Sequence, residues 1–333
     1  MPGAPLEVTR AQILAFRRRV GALEERLPRG ARSLRRAAWA GLQDSMPRAA
    51  LLSIHARVEG AHPLIWDDEA LVQVWGPRFA VYVVPAGDHA LFTLGRLPDD
   101  ERGRRRAEDA ATRLHEILAG RRIPDREVGA GVRLRYATAT GRVLIRWEGA
   151  RAPHVWTVPP PKVDPLVARK ELARRYLHVY GPGTVSSFAA WAGIGLKEAR
   201  PAFEGIELTA VRTPIGDASI LSGDEELVRA PVEPSTAVRL LPSGDAYWLL
   251  QEAAQRELLV PDRKQRASLW TPRVWPGALL LAGELAGTWR RAQANLTIEP
   301  WRRLTKTERA LVEREAQALP LGLEREIAVR WER

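Results

Sequence analysis

The chain has 333 residues, 45% of them hydrophobic and 27% charged, and no cysteine. That length accommodates two or three domains with a well-buried core, and the missing cysteine excludes disulfides, thiol nucleophiles and thiolate metal sites. The net charge is +11, with Lys supplying five of the 51 basic residues; the Arg excess reads either as a genomic bias or as a surface for a polyanion. No apolar run approaches the roughly 20 residues of a membrane span, and the basic N-terminus lacks the apolar core of a signal peptide. A cytoplasmic location and no membrane partner are expected.

In chain order, residues 9–26 carry Ile13, Leu14, Phe16, Val20 and Leu23 at helical spacing. An Ala-rich helix over 34–42, capped by Ser33, is predicted next. The run AAWAGLQDS (37–45) ends in Gln43, Asp44 and Ser45, just before Pro47, which suits the first position of a third helix. In that helix Leu51, Ile54, His55 and Val58 form one buried face. RFAVYVVPAGDHALFTL (78–94) predicts a hairpin turning at Pro85, Gly87 and Asp88. Three helices and a hairpin are the order of a winged helix.

The order returns twice. Helix 101–119 precedes strands in VRLRYATAT and GRVLIRWEG, turning at Thr140–Gly141. After the proline-rich TVPPPKVD (157–164), helix 165–179 leads through YGPGT into a short Thr- or Ser-capped helix, a further helix in GLKEARPAFEGI, and strands in ELTAVRTP and ASILS. AAWAG recurs at 189–193, so Trp39 and Trp191 are expected at like positions, each packed against the first helix of its unit. From about 236 the pattern alternates like a small antiparallel sheet or barrel. ALLLAGELAGTW reads as two strands about Gly283–Glu284, and a charged helix closes the chain. The expected class is α+β, with tandem winged-helix units at 1–97, 98–160 and 161–235 and a small β-barrel at 236–333.

Gln43-Asp44-Ser45 has two readings from the residues alone: a cap for the next helix, where Asp and Ser are favoured, or the working end of a site. The six His residues show no metal-ligand spacing, and no phosphate-binding Gly loop or nucleophile elbow is present. These residues predict no bound metal. Arg102–Arg106 could hold a phosphate backbone or simply form a solvated face.

The segments GLQDSMPRAALLSIHARV, LVQVWGPRFAVYVV, ARRYLHVYGPGTVSSFAAWAGI and LLPSGDAYWLL with LWTPRVWPGALLLAGELAGTWRR together resemble the winged-helix DNA glycosylase family typified by AlkZ and YcaQ. The resemblance runs nearly end to end. It implies tandem winged helices curved around double-stranded, damaged DNA, a C-terminal β-barrel, and removal of bulky or cationic alkylated purines without a metal or organic cofactor, with crosslinks opened in some members; a monomer is expected. It places the family's Gln-x-Gln or Gln-x-Asp motif at Gln43-Asp44-Ser45, which would hold the attacking water; Ser45 departs from the pattern. Ala80 and Tyr82 stand where members often carry Thr and His. It assigns Arg48, Arg78, Tyr82, Arg290 and Arg291 to DNA binding, and aligns Asp245 with an Asp of the family without giving it a role. The alternative is a lesion-binding or regulatory protein of the same fold with a degenerate site.

Overall fold

The computed structural model describes residues 4–44, 48–65, 68–129, 132–148, 151–322 and 326–332. Ser45 and Pro47 lie outside the described residues. Strand β1 (Leu6–Glu7) precedes helix α1 (Arg10–Val20), where Thr9 and Gln12 cap one another reciprocally. α2 (Ala31–Ala37) and the two-residue strand β2 (Leu42–Gln43) lead to α3 (Ala49–Arg57). Strands β3 (Leu71–Trp75) and β4 (Val81–Pro85) are followed by α4 (His89–Leu94) and α5 (Glu101–Leu118). Then come β5 (Ile123–Pro124), the single turn α6 (Leu134–Ala137), β6 (Val143–Arg146) and β7 (His154–Thr157). α7 (Pro165–Tyr180) starts on an Asp164 cap with Pro at its first position. α8 (Val185–Ala192) has a Thr184–Ser187 capping box, and α9 (Leu196–Glu204) is followed by β8 (Leu208–Thr213), β9 (Gly216–Leu221) and α10 (Glu225–Arg229). The C-terminal part contains β10 (Val238–Leu241), α11 (Ala253–Leu259), α12 (Arg263–Leu269), β11 (Gly277–Leu281), β12 (Glu284–Ala292), β13 (Asn295–Pro300), α13 (Lys306–Gln317) and β14 (Ala328–Trp331).

Three sheets organise these elements. One runs β2-β4-β3-β6-β7-β5, so residues 42–157 share a single sheet. Another joins β1, in parallel, to the β8–β9 hairpin. The third runs β10-β11-β12-β13-β14. It is open, which corrects the expected barrel: β10 and β14 are its two edges, and α3 and α13 pack against β10.

The third round keeps the expected order of helices and hairpin. In the first two rounds the strand partners differ from expectation. β4 pairs with LVQVW upstream, so HALFTL is free to wind into α4. β6 pairs with HVWT downstream, and LRYA forms α6, so Gly141 ends a helical turn instead of opening a hairpin. α1 stops at Val20, and α2 begins at Ala31 after Gly30, which puts Ser33 inside the helix rather than at its cap. α3 is buried on every side, not on one face. Trp191 is buried among Tyr176, Tyr180 and Phe188 as expected. Trp39 lies in the turn beyond α2, half-buried, with Arg174 and Arg175 over its ring. The turn expected at Gly283–Glu284 falls one residue earlier: Ala282 and Gly283 form it, both with positive φ, which suits a two-residue hairpin, and Glu284 already pairs with Leu281 as the first residue of β12.

One buried ion pair joins the N-terminal and C-terminal parts. Asp245, in the turn after β10, accepts from both Arg57 Nη atoms (2.7 and 2.8 Å), from Ser53 Oγ (2.6 Å) and from the Tyr247 backbone N–H (2.9 Å). Its side chain has no exposed surface, and that of Arg57 is 4% exposed. Removing one partner strands a buried charge. Asp245→Ala is therefore expected to lower the unfolding free energy by about 3–5 kcal/mol in urea titration, whereas Asp245→Leu combined with Arg57→Met should recover much of that loss.

Candidate functional site

β2 is fixed by its pairing with β4, in which Gln43 stands opposite Tyr82. The chain enters it through Gly41 at φ +79°; a Cβ there would sit 2.8 Å from the Phe92 ring and 2.9 Å from the Tyr82 ring. Consecutive strand residues point to opposite faces, and this separates the expected catalytic pair. Gln43 faces a cleft of about 380 Å³, with Arg78 and Ala80 on its own side and Ser243, Gln251, Arg273 and Trp275 across from it.

Asp44 turns inward and is 2% exposed. Its Oδ1 accepts from the Ala50 N–H at 3.0 Å, in the first turn of α3, and its Oδ2 accepts from Gln73 Nε2 at 2.9 Å. Gln73 in turn exchanges bonds with the Trp147 backbone, accepting from its N–H at 2.7 Å and donating to its carbonyl at 3.3 Å. Asp44 is thus the cap of α3 and a bridge to β3, not a second cleft group. The positive end of α3 does reach it, but burial outweighs the hydrogen bonds and the Arg48 charge and pushes its carboxyl up to about 6.

Arg78 holds Gln43 in place. The turn between β3 and β4 puts Arg78 in the left-handed region at φ +56°, a strained conformation for a side chain with a Cβ. Its Nη1 donates to the carbonyl of Trp191 at the C-terminal end of α8, where a cation is favoured. Its Nη2 donates to Gln43 Oε1 at 2.7 Å and to Tyr82 Oη at 3.1 Å. Gly193, the left-handed cap of α8, lets this happen: a Cβ there would lie 2.9 Å from Arg78 Cα. On the other side, Gly244 (φ +72°) leaves room for the carboxamide, with Gln43 Nε2 3.1 Å from where its Cβ would be.

The remaining expected residues fall in several places. Tyr82 has no exposed surface, and burial raises its hydroxyl pKa; it supports Gln43 and Arg78 from below instead of presenting a face to DNA, because β4 is an interior strand. Arg48 is the residue before α3 and donates to the Pro63 carbonyl at 3.1 Å. Arg290 and Arg291 are both exposed; Arg290 donates to the Val274 carbonyl at the rim of the cleft (3.2 Å), while Arg291 bonds the Gln293 carbonyl at 2.7 Å. The sequence reading missed Ser243, Gly244, Gln251, Arg273 and Trp275. For all but Gln251, whose position carried no signal, the one signal was membership of the PSGDAYW and TPRVWPG segments. Among the described residues no group of three or more His, Asp or Glu is placed to hold a metal ion, and no helix is long and apolar enough to cross a membrane.

Comparison with known proteins shows what the chain as a whole resembles. The model of the DNA glycosylase AlkZ-like family matches residues 34–320. A curated relative from Streptomyces sahachiroi, an interstrand DNA cross-link repair glycosylase, is 26% identical over 162 residues, which cover 46% of this chain and 42% of the relative. The match thus spans less than half of that protein. The solved structure of the Streptomyces sahachiroi DNA glycosylase AlkZ superposes with a TM-score of 0.77, covering 98% of this chain and 100% of that one at 19% identity, a likeness of fold. With 34–320 containing both walls of the cleft, the chain belongs to the AlkZ-like DNA glycosylase family.

Proposed function

We propose that this protein acts as a monomer on damaged duplex DNA, as a monofunctional glycosylase that hydrolyses the N-glycosidic bond of bulky or cationic N-alkylated purines. The observation that carries the reading is Gln43: a carboxamide at a cleft wall, oriented by Arg78 and closely backed by Gly244. An N-alkylated purine is already cationic, so the bonding electrons can leave with the base and neutralise it without prior protonation. What remains for the protein is to place a water against the anomeric carbon as positive charge develops there. Gln43 does this by hydrogen bonding. A carboxamide takes no proton, so the water's proton passes to solvent through the open cleft. Rate enhancement then rests on positioning, and the substrates are lesions whose glycosidic bond is already weak. The name of the Streptomyces relative supports including crosslinked purines among them.

A second reading is favoured by one feature. Among the described residues, those lining the cleft include Gln43, Ser243 and Gln251 but no Asp or Glu, as suits a protein that holds a lesion without cutting it.

Release of free base by the wild type separates the two, and Gln43→Ala tests the residue. Release of free base from 7-methylguanine duplex should fall by about 100-fold or more, with the Kd for the same DNA changed less than about threefold. Full activity in the variant would leave Gln43 a structural residue.

Asp44 gives a prediction of its own. Its folded-state pKa of about 6 lies above the ordinary 3.8. Burial is therefore tolerated below about pH 4 and disfavours folding increasingly as pH rises through 6. Relative to Asp44→Asn, the wild type should lose up to about 3 kcal/mol of stability between pH 4 and pH 7.5. This comes on top of a constant loss in the variant, whose amide N–H would face Gln73 Nε2. Urea titrations of both proteins across that range measure the gap; a constant gap would contradict a buried carboxylate.

A further inference from the structure

Beside the Gln43 cleft the fold gathers cations that the reaction, as read above, does not use. Arg96 follows α4, and its Nη1 donates to the carbonyl of Trp75, the last residue of β3 and three positions before Arg78. Its Nε is enclosed and has no hydrogen-bond partner among the described residues. Arg135 stands exposed on α6. The turn that follows α6 is packed on the end of α4, since a Cβ on Gly141 would lie 3.3 Å from Thr93 Oγ1, three residues before Arg96. Among the described residues, no carboxylate forms an ion pair or hydrogen bond with Arg78, Arg96 or Arg135. This contrasts with the other enclosed arginines nearby: Arg169 is paired with Asp99, and Arg175 with Asp88 and Glu171. Burial lowers the Arg96 pKa to about 10; Tyr82 opposes the shift, and the charges of Arg135 and Arg78 add to it.

Like charges brought together without a counter-ion repel one another, and an anion placed among them recovers that energy. Guanidinium groups suit a tetrahedral oxyanion, because each offers paired N–H donors. We propose that Arg78, Arg96 and Arg135 form a seat for one phosphodiester group of the DNA strand that carries the lesion nucleotide. This rests on the glycosylase reading for its substrate, and deepens it by naming the backbone contact. Arg78 then has two duties: one Nη fixes Gln43 while its charge faces the phosphate next to the nucleotide that Gln43 serves. The seat sets the distance between backbone and water, so it is a positioning device and not a catalytic group.

The test uses a duplex with one 2′-fluoro-7-methylguanine nucleotide, which resists hydrolysis, and single uncharged methylphosphonate linkages scanned over three positions on either side of it. One linkage should weaken wild-type binding by about tenfold and reduce the slope of log K against log salt by about one. Arg135→Ala, an exposed change, should weaken binding to the all-phosphate duplex by a similar factor and make that same linkage nearly silent. Arg96→Gln, checked for unchanged thermal unfolding, should do likewise. Lys306→Ala, on the far exposed helix α13, should keep full sensitivity. If both Arg variants respond to every linkage as the wild type does, the seat is wrong. Base release from the ordinary 7-methylguanine duplex is read in parallel. Release without coupling between linkage and arginine overturns the seat alone. Coupling without release supports the seat and overturns the glycosylase reading.

Discussion

The buried Arg57–Asp245 pair is the constraint on which the site depends. It ties the last turn of α3 to the turn after β10, across 188 residues of sequence. The same turn carries Ser243 and Gly244, which face Gln43. A salt bridge in water contributes little; here both partners are enclosed, and Ser53 and the Tyr247 N–H satisfy the remaining carboxylate positions. The pair is costly to bury and costlier to break. Its effect is therefore geometric: Gln43 can meet Gly244 in one relative placement of the two parts and not in others.

Around that fixed point, strand alternation divides the labour within a few residues. Gln43 looks out and Asp44 looks in. Gln43, the last residue of this two-residue strand, lines the cleft, and Asp44, just beyond it, stabilises what the strand leans on by capping α3 and bonding Gln73. Arg78 has a parallel double role, held at the end of α8 and holding Gln43 in turn. The positive φ at Arg78 and the close approach of Gly193 are the local costs of that arrangement. They are sustained because β3, β4 and α8 are each packed independently into the main core.

Buried arginines recur as joints in this lysine-poor chain. Arg17, fully enclosed, donates to the carbonyls of Tyr180 and Gly181 and to Gln255, so α1, the end of α7 and α11 meet on one guanidinium. Arg239 donates to the Ala56 and Glu24 carbonyls. Part of the Arg excess is thus spent inside the fold. Net charge overstates how much of it is available to a polyanion.

The sequence by itself determined what local physics determines. Helical spacing gave α5 and α7 to within a residue and started α1 correctly while running it past Val20; a Thr or Ser cap marked the start of α8, because such a side chain acts on N–H groups two or three positions away. The family resemblance, carried by the quoted segments, was legible too, and it pointed to Gln43 and Arg78. What the sequence did not decide was partnership. VYVV could pair forward with LFTL or backward with LVQVW, since both runs are apolar enough; the tertiary structure chose the latter and turned the former into a helix. The direction of Asp44, the openness of the C-terminal sheet, and the meeting of Gln43 with Gly244 or of Arg78 with Trp191 were settled in the same way. Each depends on contacts between residues far apart in the chain, and those contacts exist only once the separate elements have packed on one another.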